Sequence, residues 1–67
     1  MNDTPLKNDK RFLVHLPGHQ NGRHFTAHEA DIEPSGALGI YALDASGDRY
    51  LVHGFAPGVW REVENRP

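Results

Sequence analysis

Arg49-Tyr50-Leu51-Val52-His53-Gly54-Phe55-Ala56-Pro57-Gly58-Val59-Trp60-Arg61-Glu62-Val63-Glu64 holds two strand-like runs, a proline-glycine turn and the one tryptophan of the chain. The first run, Arg49 to about Ala56, places Tyr50, Val52 and Gly54 on one face and Leu51, His53 and Phe55 on the other, because successive strand side chains point to opposite sides. Both faces are partly apolar, which predicts a central strand. Pro57-Gly58 suits the middle of a type II turn, where proline presets φ and glycine accepts a positive one, or a sharp corner. Val59 to Glu64 then returns as a closing strand.

Upstream, further strands can be laid beside this pair. Met1 to about Lys10 is polar, with Pro5 and an isolated Leu6, and cannot offset the entropy of ordering itself; a flexible arm is expected over residues 1–10. Phe12-Leu13-Val14-His15-Leu16 is a short β-rich run closed by Pro17-Gly18, and the Asn21-Gly22 pair after it carries hairpin-turn chemistry. In the next run, Arg23 to Glu33, Ala30 and Ile32 oppose Glu29, Asp31 and Glu33. That parity fails at Phe25 and Ala27, so a bulge or bend near His28 is expected, as where one long strand serves two sheets.

Glu33-Pro34-Ser35-Gly36 has the residue order of a type I turn. Ala37 to Leu43 reads as a third strand, with Gly39 marking a bend or close approach, and Asp44-Ala45-Ser46-Gly47 closes a hairpin with glycine in the left-handed region. The expectation is an all-β fold over residues 11–64, a five-stranded antiparallel meander curled into a sheet or small barrel, with residues 65–67 frayed.

Phe55-Ala56-Pro57-Gly58-Val59-Trp60-Arg61-Glu62-Val63 resembles the end of SH3-like barrels, where a proline-bearing turn precedes an aromatic and a short closing strand. The acidic-aromatic loop with which SH3 peptide binders begin is absent, so proline-rich peptide binding does not follow. The Phe-Ala-Pro-Gly-X-Trp ending also resembles that of small all-β proteins of phages and their bacterial hosts. This resemblance implies a mobile-element inhibitor of the anti-CRISPR kind.

A chain of 67 residues has room for one domain, and a domain of this size buries only about 60% of the surface its unfolded chain exposes. There is no cysteine to supply a disulfide or thiolate zinc site, so added stability must come from self-association or a partner. The apolar runs fall far short of the ~20 residues needed for a spanning helix, and the beginning of the chain lacks an apolar signal region; a cytoplasmic protein is expected. The formal charge of −2 is uneven: from His24 onward seven acids face three basic residues. Direct nucleic-acid binding, which needs a basic folded face, is therefore not expected.

Five histidines are the first candidates for chemistry. His15, His19, His24 and His28 fall four or five apart, which on a helix could bind zinc, but Pro17, Gly18 and Gly22 remove that helix. On one strand His24 and His28 would stand about 13 Å apart, too far for one metal. A metal site would have to pair histidines across strands, for example His15 with His53. The ordinary reading is exposed or locally satisfied histidines, and no cofactor is expected. The hydroxyls Thr4, Thr26, Ser35 and Ser46 lie mainly in the arm or in turns, and no glycine-rich loop opens a helix, so a non-catalytic protein is expected.

Glu29, Asp31 and Glu33 form an acidic stripe whose spacing, about 6.6–6.8 Å between alternate strand residues, imitates successive phosphates of a nucleic-acid backbone. Asp44, Asp48, Glu62 and Glu64 would extend it. The competing reading is a solvated face that keeps the sheet edge from pairing. Trp60 is either an outward anchor ringed by Glu62 and Glu64 or, as is commoner for the one tryptophan of a small core, packed inside; Tyr41 and Tyr50 read as cross-strand core partners. The functional expectation is a small protein-binding module that occludes a basic, nucleic-acid-handling host complex through Glu29, Asp31, Glu33, Trp60, Glu62 and Glu64. The alternatives are a homodimer or other self-assembling structural protein, and a histidine-based metal module.

Overall fold

The computed structural model describes residues 8–18 and 20–66. Six strands follow one another: β1 (Lys10–His15), β2 (Arg23–Ala27), β3 (Glu29–Ile32), β4 (Leu38–Leu43), β5 (Arg49–Phe55) and β6 (Glu62–Arg66). They form two antiparallel three-stranded sheets, ordered β2-β1-β6 and β3-β4-β5. The sheets pack face to face around Phe12, Val14, Ala27, Leu38, Ile40 and Phe55, with Leu16, Phe25, Ala30, Trp60 and Val63 against that cluster. All-β architecture is as expected; the five-stranded meander and the closed barrel are not formed among the described residues.

Three of the local turn readings hold; the tight Asn21-Gly22 turn does not form, since only Gly22 of that pair has a positive φ and β1 ends at His15, well before β2 begins at Arg23. The Gly36 amide donates to the Glu33 carbonyl at 2.9 Å, Gly47 to Asp44 at 2.9 Å and Val59 to Ala56 at 3.1 Å, each an i to i+3 bond. Gly47 and Gly58 have φ of 87° and 84°. The Asp44 carboxylate adds bonds from the amides of Ser46 (2.8 Å) and Asp48 (2.9 Å), an Asx arrangement that fixes the β4–β5 hairpin.

The bend expected near His28 separates β2 from β3 and carries the chain from one sheet to the other. The His28 amide donates to the Tyr41 carbonyl at 2.9 Å, so the break is anchored on β4. It also resolves the parity conflict: Phe25 and Ala27 turn inward from the first sheet, and Ala30 turns inward from the second.

Three expectations are corrected. Among the described strands, β5 lies at an edge and β4 at the centre of its sheet. Between Ile40 and Tyr41 the register with β5 slips, His53 facing Ile40 and Leu51 facing Tyr41, so Val52 is a bulge and the alternation predicted for this strand breaks there. Leu51 then shares the outer face with Gly54, and Tyr50, Leu51 and Val52 are 51%, 56% and 45% exposed. Second, the closing strand begins at Glu62 rather than Val59 and pairs with β1 instead of β5, Val63 opposite Val14 and Glu62 opposite His15. The Ala56–Val59 turn leads the chain away from β5, and the Arg61 amide docks on the His15 carbonyl at 2.7 Å.

Third, the paired strands reach beyond residues 11–64 on both sides. Asn65 and Arg66 pair with Phe12 and Arg11, and Lys10 already belongs to β1. The Asn8 amide clamps the Leu43 backbone, donating to its carbonyl at 2.8 Å and accepting from its N–H at 2.7 Å. The rest of the expected arm, residues 1–7, lies outside the described residues, as does Pro67.

Candidate functional site

The outer face of β3-β4-β5 collects charge and bare backbone. Register places Glu29 beside Tyr41 and Asp31 beside Gly39. Gly39 in turn pairs with Gly54, so two strands present no side chain at adjacent positions. The phenol of Tyr41 folds over the gap: a Cβ at Gly39 would come within 2.7 Å of the Tyr41 ring, which admits only glycine while the ring lies there. The result is a shallow trough of about 310 Å³ floored by Gly39 and Gly54, with Tyr41 and Leu51 among its walls and Glu33 and Ala56 also lining it.

Arg49 organises one side of this face. Its guanidinium lies 3.9 Å from the centroid of the Tyr41 ring, and Nη1 donates to Glu29 Oε2 at 3.3 Å and stands 3.7 Å from Asp31 Oδ2. Glu33, exposed at the other side, has no ion pair among the described residues. Three carboxylates and one guanidinium leave a local formal charge of −2 (−3 + 1) around an apolar depression.

Glu62 and Glu64 do not extend that stripe. Val63 between them packs on the core, so both stand on the outer face of the other sheet. There Glu64 Oε2 meets His15 Nε2 at 2.6 Å, and its Oε1 lies 3.4 Å from Arg66 Nε. The His15 hydrogen bond, helped by the charge of Arg66, holds the Glu64 carboxyl below the usual glutamate range against the opposing effect of its partial burial. His15, Glu62 and Glu64 each direct a donor atom into one spot, all within 4.8 Å of one another.

Trp60 is half-buried against the core, and its indole Nε1 donates to the Gly36 carbonyl at 2.9 Å. It braces two turns instead of standing outward among acids. Tyr41 is an outer-face residue and Tyr50 is exposed, so neither is the core partner expected. His53 is not paired with His15; its ring packs in tilted contact with Phe55 and Phe25 at centroid distances of 4.6 and 5.5 Å. His24 is exposed on β2 and His28 half-buried at the bend, while His19 lies outside the described residues.

Sequence reasoning found the acid stripe but missed Arg49, Leu51 and the glycine pair that shape the trough. Gly39 and Gly54 inside strand-like runs were the available signal; their adjacency depends on register. No family model matches this chain, and no curated protein or solved structure is significantly similar to it.

Proposed function

We propose that this chain is a non-catalytic protein-binding module that seats a basic, extended segment of a larger protein on the outer face of β3-β4-β5. The observation that carries the reading is the apolar trough over Gly39 and Gly54 set among Glu29, Asp31 and Glu33 with only Arg49 to balance them. An apolar side chain of the partner would fill the depression beside Leu51, and flanking lysines or arginines would meet the carboxylates. Charge complementarity of this kind steers encounter and selects against neutral or acidic surfaces. A domain this small acts on its partner by occlusion, and a basic nucleic-acid-handling complex is the target class such a surface fits. Trp60, Glu62 and Glu64 take no part in this contact.

The test is affinity capture from host lysate at low and high salt with the natural sequence and with Glu33→Lys and Leu51→Asp, both exposed positions, followed by cross-linking to map the contact. The reading expects one basic partner, lost as salt rises, lost in both variants and cross-linked to β3 or β5. Capture unaffected by either substitution would overturn it.

A second reading has its own observation: Tyr50, Leu51 and Val52 are exposed on an edge strand, where unpaired backbone groups can take up a strand of a second copy. The Val52 bulge works against such pairing. Sedimentation velocity across a hundredfold range of concentration separates the two, since only self-association raises the mass of the pure protein.

A further inference from the structure

The opposite face of the molecule carries a site that the protein-binding reading does not use. The geometry points to a divalent transition-metal site formed by His15, Glu62 and Glu64, with zinc as the cation its donor set suits best.

The three ligands are held by the backbone. β1 is the central strand of its sheet, bonded to β2 on one side and β6 on the other, and the register sets His15 directly opposite Glu62. Glu64 is the next residue of β6 on the same face, since strand side chains repeat every second residue. One imidazole nitrogen and two carboxylate oxygens therefore converge from two adjacent strands, within 4.8 Å of one another. Zinc binds such donors at about 2.0–2.2 Å, which spaces them roughly 3–3.6 Å apart. The His15–Glu64 contact of 2.6 Å opens slightly to reach that spacing, and Glu62, exposed and without an ion pair among the described residues, closes in by rotation about its side chain.

The charge arrangement asks for a cation more than an ordinary ion pair would. His15 and Arg66 both address Glu64, while Glu62 brings a second carboxylate to the same imidazole and repels the first. With neutral imidazole, Arg66 offsets one of the two carboxylates, and a divalent ion offsets both once the exposed guanidinium swings off Glu64 Oε1. The nitrogen donor favours zinc and its neighbours in the transition series over magnesium or calcium, which prefer all-oxygen shells. Three protein ligands on an outer face leave at least one coordination position for water. The ion would clip β1 to β6 in a chain without cysteine, and any ion that binds only the folded state stabilises it by mass action.

The experiment uses the untagged full chain stripped with chelator. Zinc chloride is titrated by calorimetry, cobalt(II) chloride by visible absorption, and magnesium chloride serves as the hard-ion arm. The expected result is saturable one-to-one zinc binding, a four- or five-coordinate cobalt spectrum, a higher melting midpoint with zinc than with magnesium, and at least about a tenfold loss of zinc affinity in H15A and E62Q. His24→Ala, on an exposed histidine of the same sheet, should bind zinc as the natural sequence does. Glu62 is exposed, so E62Q keeps the test decisive if H15A fails to fold. Absence of saturable zinc binding, binding unchanged in E62Q, or binding lost in H24A would each overturn the site.

Discussion

The indole nitrogen of Trp60 donates to the carbonyl of Gly36 across 2.9 Å, joining the corner after β5 to the turn between β3 and β4. The two turns belong to different stretches of chain, and this bond, with the half-buried ring beneath it, sets where β6 departs toward β1. Trp60→Phe keeps most of the apolar contact and removes the donor, and a loss of about 1 kcal/mol is expected. Trp60→Ala also empties the ring's place and should cost about 3–5 kcal/mol. A domain of this length is stable by only about 3–10 kcal/mol, so the alanine variant should be partly unfolded at 25 °C. Urea denaturation followed by far-ultraviolet dichroism measures both.

Gly22 and Gly18 predict a contrast within one loop. Both have positive φ, 68° and 79°, but a Cβ at Gly22 would lie 2.6 Å from the Val14 carbonyl oxygen, whereas at Gly18 nothing lies within 4 Å. Gly18→Ala should show only the backbone strain, about 1 kcal/mol, and Gly22→Ala that strain plus displacement of β1, about 2–3 kcal/mol. Equal midpoints in urea would contradict the close approach.

Arg49 holds two acids and a ring in place without being important to stability. Its pairs with Glu29 and Asp31 are all more than two-fifths exposed, and exposed pairs contribute under about 1 kcal/mol. Arg49→Gln should therefore leave the melting temperature nearly unchanged while taking the local formal charge from −2 to −3. A lysine- and arginine-rich extended peptide should bind the variant more tightly than the natural sequence at low salt, with the difference shrinking as salt screens it. Fluorescence anisotropy of the labelled peptide reads this directly.

Glu64 predicts an acid-limb effect. Its carboxyl is held below the usual range, first by the His15 hydrogen bond and then by Arg66. A carboxylate with a depressed folded-state pKa adds stability above its unfolded pKa, and that stability is lost as pH falls through the folded value. In metal-free buffer, His15→Ala should raise the Glu64 titration midpoint toward that of an ordinary glutamate and flatten the fall in melting temperature through the acid range. Carbon-detected NMR of the Glu64 carboxyl checks the first and scanning calorimetry the second.

What the chain determined by itself is whatever depends on residues close in sequence. The turns at Glu33–Gly36, Asp44–Gly47 and Ala56–Val59 follow from proline, glycine and aspartate at fixed offsets, because each is closed by one bond across three residues. The bend at His28 was legible as a parity conflict between Ala27 and Ala30, and the outward stripe of Glu29 and Asp31 as simple alternation. Tertiary structure alone decided the rest. Residues 49–56 are apolar enough for a central strand, yet they lie on an edge, because a strand's pattern records how well it can be covered and not whether a neighbour is there. The partner of β6 depended on a corner and an indole, the glycine trough on a bulge at Val52, and the contact of His15 with Glu64 on a pairing across 49 residues of chain. Such pairings are chosen by the fit of whole faces, and no local run of residues encodes them.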